Sequence, residues 1–321
     1  MSVKKDIKIK FLGFNKVYCP TVNTLRLVLQ GQYNLVDSDQ PDYIICSVSD
    51  VSHFKYNCVK IVYVGENVVP DFNLFDYAIG FHYLDFGDRY LRFPLWLMYA
   101  WEHYDSLLGN RLLKTAEVDT RRFCNFVYSN SKFADKIRER FFYELSKYKK
   151  IDSGGQFLNN MGYNIQNKHS FISNYKFTIS FENSCVPGYL TEKIVEPMLV
   201  NSLPIYWGDN LANRDFLSDS FLQLYEVSDI RKIVEYVVFL DENNGAYLDR
   251  INRRKVVKSK LEWEKTILSF FSNIFLSEPL EARRRATNGY NAIYEIFHRR
   301  VSFFYDSYLF NKIYGFIERL N

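Results

Sequence analysis

Apolar runs of strand length alternate with stretches of helical spacing along most of this chain. Ile7 to Phe14 reads as a first strand and Val22 to Leu29 as a helix. Tyr43 to Val48, Val59 to Val64 and Phe75 to Phe81 follow as strands, and Leu95 to Leu108 as a helix. Such alternation predicts a mostly parallel sheet covered on both faces. The polar stretch Gly109 to Arg122 interrupts the pattern and is the expected linker. A second α/β set opens at Phe123 to Ser129, with a helix from about Ala134 to Tyr148, turn chemistry at Asp152 to Gly155, a strand at Phe221 to Tyr225 and a helix at Ile230 to Leu240. Beyond residue 258 the pattern is helical to the end, and neither an internal repeat nor a low-complexity tract interrupts it.

One stretch carries the densest polar chemistry: FTISFENSCVPGYLTEKIVEPMLVNSLPIYWGD, residues 177–209. Its apolar runs Phe177 to Phe181 and Leu203 to Trp207 flank Ile194, Val195, Met198 and Leu199 at helical spacing, so it reads as strand, loop, helix, strand. In such a crossover the loop lies at the carboxyl end of the sheet and the helix start presents unpaired N–H groups, which together form an anion site. Thr191 is the expected N-cap, with Glu192 and Lys193 in the first turn. A lysine opposes the helix dipole there, a cost that a phosphate shared with the N–H groups would offset. Pro197 removes an N–H, so an irregular or kinked helix is expected.

Composition narrows the class. The chain has 321 residues, enough for about two domains of ordinary size. A net charge of +4 argues against a dedicated nucleic-acid binder. Aromatic residues reach 18%, and aromatic faces suit sugar rings, although most must serve the core. Five cysteines without a CxxC or Cys/His cluster suggest neither a disulfide framework nor a zinc site, which fits a reducing compartment. No apolar run of 18 residues occurs, so a soluble or peripheral, cytoplasmic protein is expected.

The run FENS…GYLTEK followed by LPIYWG resembles the donor-site signature of the α1,3/4-fucosyltransferases, the Lewis-antigen family. GENVVPDFNLFDYAIGF (65–81) and LDFGDRYLRFP (84–94) are similar to its bacterial, Helicobacter-type branch, and FVYSN, Ile137 to Phe142 and DSGG fit as well. The resemblance spans roughly residues 60–230 and implies a GT-B-like fold: two doubly wound Rossmann-type domains facing a central cleft. Residues 1–118 would bind the acceptor, residues 119–280 the donor, and residues 281–321 would form an amphipathic helical segment. The implied reaction moves L-fucose from GDP-β-L-fucose, with inversion, to the GlcNAc hydroxyl of a type 1 or type 2 Gal-GlcNAc acceptor on a bacterial surface glycan. A transferase for another GDP-sugar and a catalytically inactive carbohydrate-binding relative are the alternatives.

The resemblance also assigns roles. Arg138 stands where the family has its phosphate-binding arginine, whereas its spacing between Lys136 and Arg140 alone reads as a solvated helix face. Lys193 joins it on the diphosphate. Glu192 would accept the ribose hydroxyls, or serve only as a favourable first-turn acid. Asn183 and Tyr189 carry over as donor contacts, with loop bracing as their other reading. Glu66, after the strand Val59 to Val64, is the expected base, Glu182 its rival and a turn role the bland reading.

No cofactor is expected beyond the donor substrate, and no essential metal. Leu35-Val36-Asp37-Ser38-Asp39 imitates a metal-binding DxD motif, but Gln40-Pro41-Asp42 after it is turn composition. Two readings compete for the C-terminal segment: a helix packed on the body, or one lying on the anionic inner membrane with Arg283 to Arg285 and Arg299-Arg300 at the headgroups.

Overall fold

Val59–Val64, six residues of strand character without polar alternation beyond Lys60, is buried at every position. A strand of that kind belongs in the interior of a parallel sheet, where both faces are covered. In the computed structural model, which describes residues 3–14, 20–109, 112–129 and 134–305, it lies inside a six-stranded sheet. The chain divides into two units, one of residues 1–80, 84–93 and 264–321, the other of residues 81–83 and 94–263.

The first unit holds β1 (Asp6–Leu12), α1 (Pro20–Gln30), β2 (Asn34–Asp37), β3 (Tyr43–Ser47), β4 (Val59–Val64), β5 (Tyr77–Gly80) and β6 (Tyr90–Arg92). All pairings are parallel, in the order β2-β1-β3-β4-β5-β6, a doubly wound arrangement. The DxD-like stretch overlaps edge strand β2, and Asp39 pairs with Lys10 at 2.6 Å.

In the second unit the expected helix Leu95 to Leu108 is shorter: α2 (Leu95–Ala100) gives way to a 3₁₀ stretch, Trp101–Leu108, broken by non-helical dihedrals at His103. The expected linker contains α3 (Thr115–Asp119). Then come β7 (Arg122–Phe126), α4 (Ile137–Ser146), β8 (Ile151–Ser153), α5 (Lys168–Ile172), β9 (Tyr175–Phe181), α6 (Glu192–Leu199), β10 (Leu203–Trp207) and β11 (Leu222–Gln223). This sheet is also wholly parallel, in the order β11-β10-β9-β7-β8. α7 (Ile230–Glu242) and α8 (Asn244–Ile251) pack on its core through Val237, Leu240, Tyr247 and Ile251. α9 (Lys260–Phe275) and α10 (Gly289–Tyr305) follow.

The units therefore differ from the expected division at residue 118. α2 belongs with the second sheet because Trp96 donates its backbone N–H to Leu190 O at 2.9 Å and its indole N–H to Asp215 Oδ2 at 3.0 Å. After residue 263 the chain rejoins the first unit, where Phe275 stacks edge-on against Tyr33 and Tyr43, 5.3 and 4.8 Å between ring centroids.

The C-terminal arginines are also placed differently from the headgroup reading. Asp76, fully buried, accepts the backbone N–H groups of Arg284 (2.9 Å) and Arg285 (3.0 Å) and pairs with the Arg285 guanidinium at 2.5 Å. Lys60, buried inside β4, reaches Glu295 of α10 at 2.9 Å. Arg283 bonds Asn57, and Arg284 pairs with Asp88 at 2.8 Å. Residues 283–295 are thus bonded to the first sheet by charges that would be costly if left alone. The apolar pattern assigned to Tyr308, Leu309, Ile313, Phe316 and Ile317 lies outside the described residues.

Replacing Asp76 by Ala strands a buried guanidinium and is expected to cost about 3–5 kcal/mol in chemical denaturation. Asp88→Ala, at a partly exposed pair, is expected to cost under about 1 kcal/mol. Equal effects would mean that Asp76 is not what holds the C-terminal segment.

Candidate functional site

β9 is buried along its whole length and ends at Phe181, beside β7. The strand order reverses between these two, since β8 lies beyond β7 while β10 and β11 lie beyond β9. In an open parallel sheet the crevice outside the carboxyl ends at such a point is where ligands bind. A cavity of about 300 Å³ opens there, lined among others by Tyr128, Arg138, Lys168, Asn183, Glu192 and Lys193.

The loop from β9 into α6 needs glycine at 188. Its φ is +87°, and a side chain there would place a Cβ 2.5 Å from Phe81 O. Its N–H donates to the buried Asp209 carboxylate at 2.8 Å, which fixes the turn. The helix then starts as its sequence predicts: Thr191 caps α6 by accepting the N–H of Lys193 on its hydroxyl. Ile194, Val195 and Met198 are fully buried and anchor the helix, each worth roughly 1.5–3 kcal/mol by its apolar area. Pro197 sits inside α6, where it removes the donor that the Lys193 carbonyl would otherwise receive.

Beneath the helix start lies Glu182, fully buried. Its carboxylate accepts the Thr191 backbone N–H and hydroxyl, both at 2.9 Å, and the Lys193 ammonium at 3.1 Å. The Glu182 carboxyl stands above the usual range, because burial outweighs the opposing charge of Lys193. For Lys193, burial works to lower the pKa, but the Glu182 and Glu192 carboxylates outweigh it and the net shift is upward. The ammonium is therefore charged, and its unfavourable place at the helix start is offset by Glu182 before any anion binds. Glu192 contacts the same ammonium at a longer 3.4 Å.

Arg138 is buried, not on a solvated face. It sits with Ile137, Phe141 and Phe142 on the inward side of α4, its guanidinium 3.9 Å from the centre of the Tyr128 ring. Its Nη2 donates to Phe181 O and Glu182 O, each at 3.0 Å, and to Asn183 Oδ1 at 2.9 Å. The arginine thus ties the end of β9 and Asn183 to the cavity wall. Tyr128 braces the same strand, donating to Ile179 O at 2.9 Å and accepting the Phe181 N–H at 2.6 Å; burial raises its hydroxyl to about 12.

Of the expected site residues, the structure brings Arg138, Asn183, Glu192 and Lys193 to one cavity. Tyr189 is outside that lining; its ring meets Phe81 edge-on at 5.3 Å. Glu66 is exposed in the first unit, just past the carboxyl end of β4, with its carbonyl accepting the Val68 N–H at 2.7 Å. Glu182, the rival base, is committed to Thr191 and Lys193 and fully buried. Sequence reasoning missed Lys168 and Glu196, which pair at 2.5 Å at the cavity's other end. The spacing of Glu192 and Glu196, one helical turn apart, is the signal that could have found them. Among the described residues no group of three or more His, Cys, Asp or Glu is placed to hold a metal ion.

Two parallel α/β units, the second with a cation-lined cavity at its topological switch point, define a GT-B-class fold. Residues 9–99 match the model of the alpha-(1,3)-fucosyltransferase FucT N-terminal domain, and residues 119–295 that of glycosyltransferase family 10 (fucosyltransferase), C-terminal part. The chain belongs to glycosyltransferase family 10, the fucosyltransferases. It is 33% identical over 261 residues to alpha-(1,3)-fucosyltransferase FucT of Helicobacter pylori, a match covering 70% of this chain and 54% of that protein. With human 4-galactosyl-N-acetylglucosaminide 3-alpha-L-fucosyltransferase 9 the identity is 33% over 123 residues, 38% of this chain and 34% of that one. The chain thus spans about half the length, or less, of these curated relatives. A crystal structure of an alpha1,3-fucosyltransferase with GDP-fucose superimposes with a TM-score of 0.69 at 28% identity, covering 86% of this chain and 92% of that one.

The Glu182–Lys193 pair makes a specific prediction. Lys193→Ala leaves a buried carboxylate unpaired and is expected to cost about 3–5 kcal/mol of stability, against under about 1 kcal/mol for an exposed lysine. The double variant Glu182→Gln, Lys193→Met is expected to recover much of that loss, because no charge is left buried. Urea unfolding of the three proteins checks it; additive losses in the double variant would contradict the pairing.

Proposed function

We propose that this protein is an inverting fucosyltransferase that moves L-fucose from GDP-β-L-fucose to the GlcNAc hydroxyl of a Gal-GlcNAc acceptor, forming an α1,3 or α1,4 linkage. The observation that carries the reading is the cavity at the β7/β9 switch point, where Arg138 and Lys193 line the wall beside the start of a helix whose N–H groups favour an anion. A nucleoside diphosphate leaving group suits that charge. Family membership and the GDP-fucose complex of a similar enzyme support the choice of sugar nucleotide.

In the transfer, an acceptor hydroxyl oxygen bonds to the fucose anomeric carbon as the bond from that carbon to the GDP β-phosphate oxygen breaks. GDP leaves with the electron pair, and the hydroxyl proton passes to Glu66. Inversion at the anomeric carbon follows from the single displacement. Lys193 stabilises the diphosphate by a charge-assisted contact. Its contact with Glu192, at 3.4 Å the longest of its carboxylate pairs, is the one to exchange for phosphate, which frees the Glu192 carboxylate to accept ribose hydroxyls. Asn183, positioned by Arg138, completes the donor contacts near the β-phosphate, and Tyr189 shapes the loop beside them. Protein cations supply the charge at the diphosphate, so transfer is proposed to need no divalent metal.

No helix of the described residues is long and apolar enough to cross a membrane. A cytoplasmic site of action, where sugar nucleotides and surface-glycan precursors meet, is part of the proposal, with any contact to the inner-membrane surface made by residues other than the bonded Arg283 to Arg285. The competing reading, use of another GDP-sugar, shares the diphosphate chemistry and differs only at the sugar.

Transfer assayed with GDP-fucose and GDP-mannose over type 1 and type 2 acceptors tests the reading. Turnover with GDP-fucose alone, undiminished in EDTA, is expected; turnover only with another GDP-sugar, or loss in EDTA, would contradict it. Glu66→Gln is expected to retain GDP affinity in calorimetry while turnover falls about 10²-fold or more. Full activity in that variant would remove Glu66 from the mechanism.

A further inference from the structure

α6 carries two carboxylates about one turn apart, four residues and a rise of about 6 Å. The first, Glu192, stands at the helix start beside Lys193. The second, Glu196, faces α5, where Lys168 lies 2.5 Å from it and His169 3.8 Å. Burial alone would raise the Glu196 carboxyl, but His169 and Lys168 outweigh it and hold it below the usual range. Glu196 is therefore a charged group that fixes Lys168. The side chain of Lys168 is about one-third exposed (34%), and the residue lines the same cavity as Arg138 and Lys193. Ile172 and Pro197 supply apolar wall at this end.

We infer that Lys168 reads the nucleobase, and that it selects a purine bearing a carbonyl acceptor, guanine, over adenine. The inference rests on the proposed diphosphate site. With the diphosphate at the start of α6 and the ribose at Glu192, the base falls one turn further along the helix, between the apolar Ile172 and Pro197 and against Lys168. An ammonium has three donors and no acceptor. One donor serves Glu196, so what Lys168 has for a ligand in the cavity it lines is N–H donors and no acceptor. Guanine presents O6 and N7 as acceptors on one edge, whereas adenine replaces O6 by an amino donor that meets the ammonium donor to donor. Adenine keeps N7 alone as an acceptor on that edge, so a site built to donate to O6 loses one hydrogen bond and meets a donor in its place. Glu196 is a positioning residue: it touches Lys168, not the base.

Calorimetric titration of the full chain with GDP, IDP and ADP tests the assignment. The unaltered protein is expected to bind GDP and IDP, which share O6, alike, and ADP at least tenfold more weakly. Lys168→Met is expected to lose about tenfold or more of its GDP affinity with ADP affinity unchanged, the scale of one hydrogen bond to a charged group. Lys168→Arg is expected to restore the preference, and Glu196→Gln to weaken it partly. Thermal melting of each variant shows that the fold is kept. A GDP-to-ADP ratio unchanged in a folded Lys168→Met protein overturns the inference while leaving the diphosphate site standing. Failure of the unaltered protein to bind any nucleoside diphosphate overturns both.

Discussion

A carboxylate with no solvent exposure sits where β9 meets the start of α6. Glu182 ends β9, yet its oxygens are spent on the first residues of α6: the Thr191 N–H, the Thr191 hydroxyl and the Lys193 ammonium. A buried charge must be paired and hydrogen-bonded to be tolerated, and here the partners all come from one helix start. Strand end, loop and helix are consequently locked together, and the loop between them is held in register by Gly188 and Asp209. Arg138 closes the other side by bonding Phe181, Glu182 and Asn183. The cavity at the switch point inherits its shape from these bonds.

The same arrangement explains why cations can sit where the helix dipole disfavours them. Lys193 is held charged by Glu182 behind it and Glu192 beside it, so the site is assembled before a ligand arrives. For the proposed diphosphate, preformed charge of this kind keeps reorganisation small, the Lys193–Glu192 contact alone being exchanged. Under the proposed function one residue has two roles, stabiliser of the fold and contact for the leaving group. Removing Lys193 therefore perturbs both, and only the paired replacement with Glu182 separates them.

Much of the fold was legible in the residue pattern. β4 and β10 lie at Val59–Val64 and Leu203–Trp207, as read, because interior parallel strands form unbroken apolar runs. β2, β6 and β8 were not read, and all three are edge strands of three or four residues, too short to show a period. The unit boundary was misjudged because Trp96 makes its hydrogen bonds to distant partners, Leu190 and Asp215, that no local pattern shows. At the site, the Thr191 cap and the cluster of Glu192 with Lys193 were visible in sequence. The burial of Arg138 was hidden by its charged neighbours, although Phe141 and Phe142, three and four residues on, mark the inward face of α4. Lys168 went unseen because its meaning comes from Glu196, 28 residues away in sequence.

The central claim is that the start of α6, braced from below by Glu182, receives the diphosphate of the donor. A crystal structure of the GDP complex addresses it most directly. The account predicts β-phosphate oxygens within hydrogen-bond distance of Lys193 Nζ, the ribose hydroxyls on Glu192, and a Glu182 carboxylate still bonded to Thr191. GDP seated away from the β7/β9 switch point, or a Glu182 released to meet the phosphate or the sugar, would contradict it.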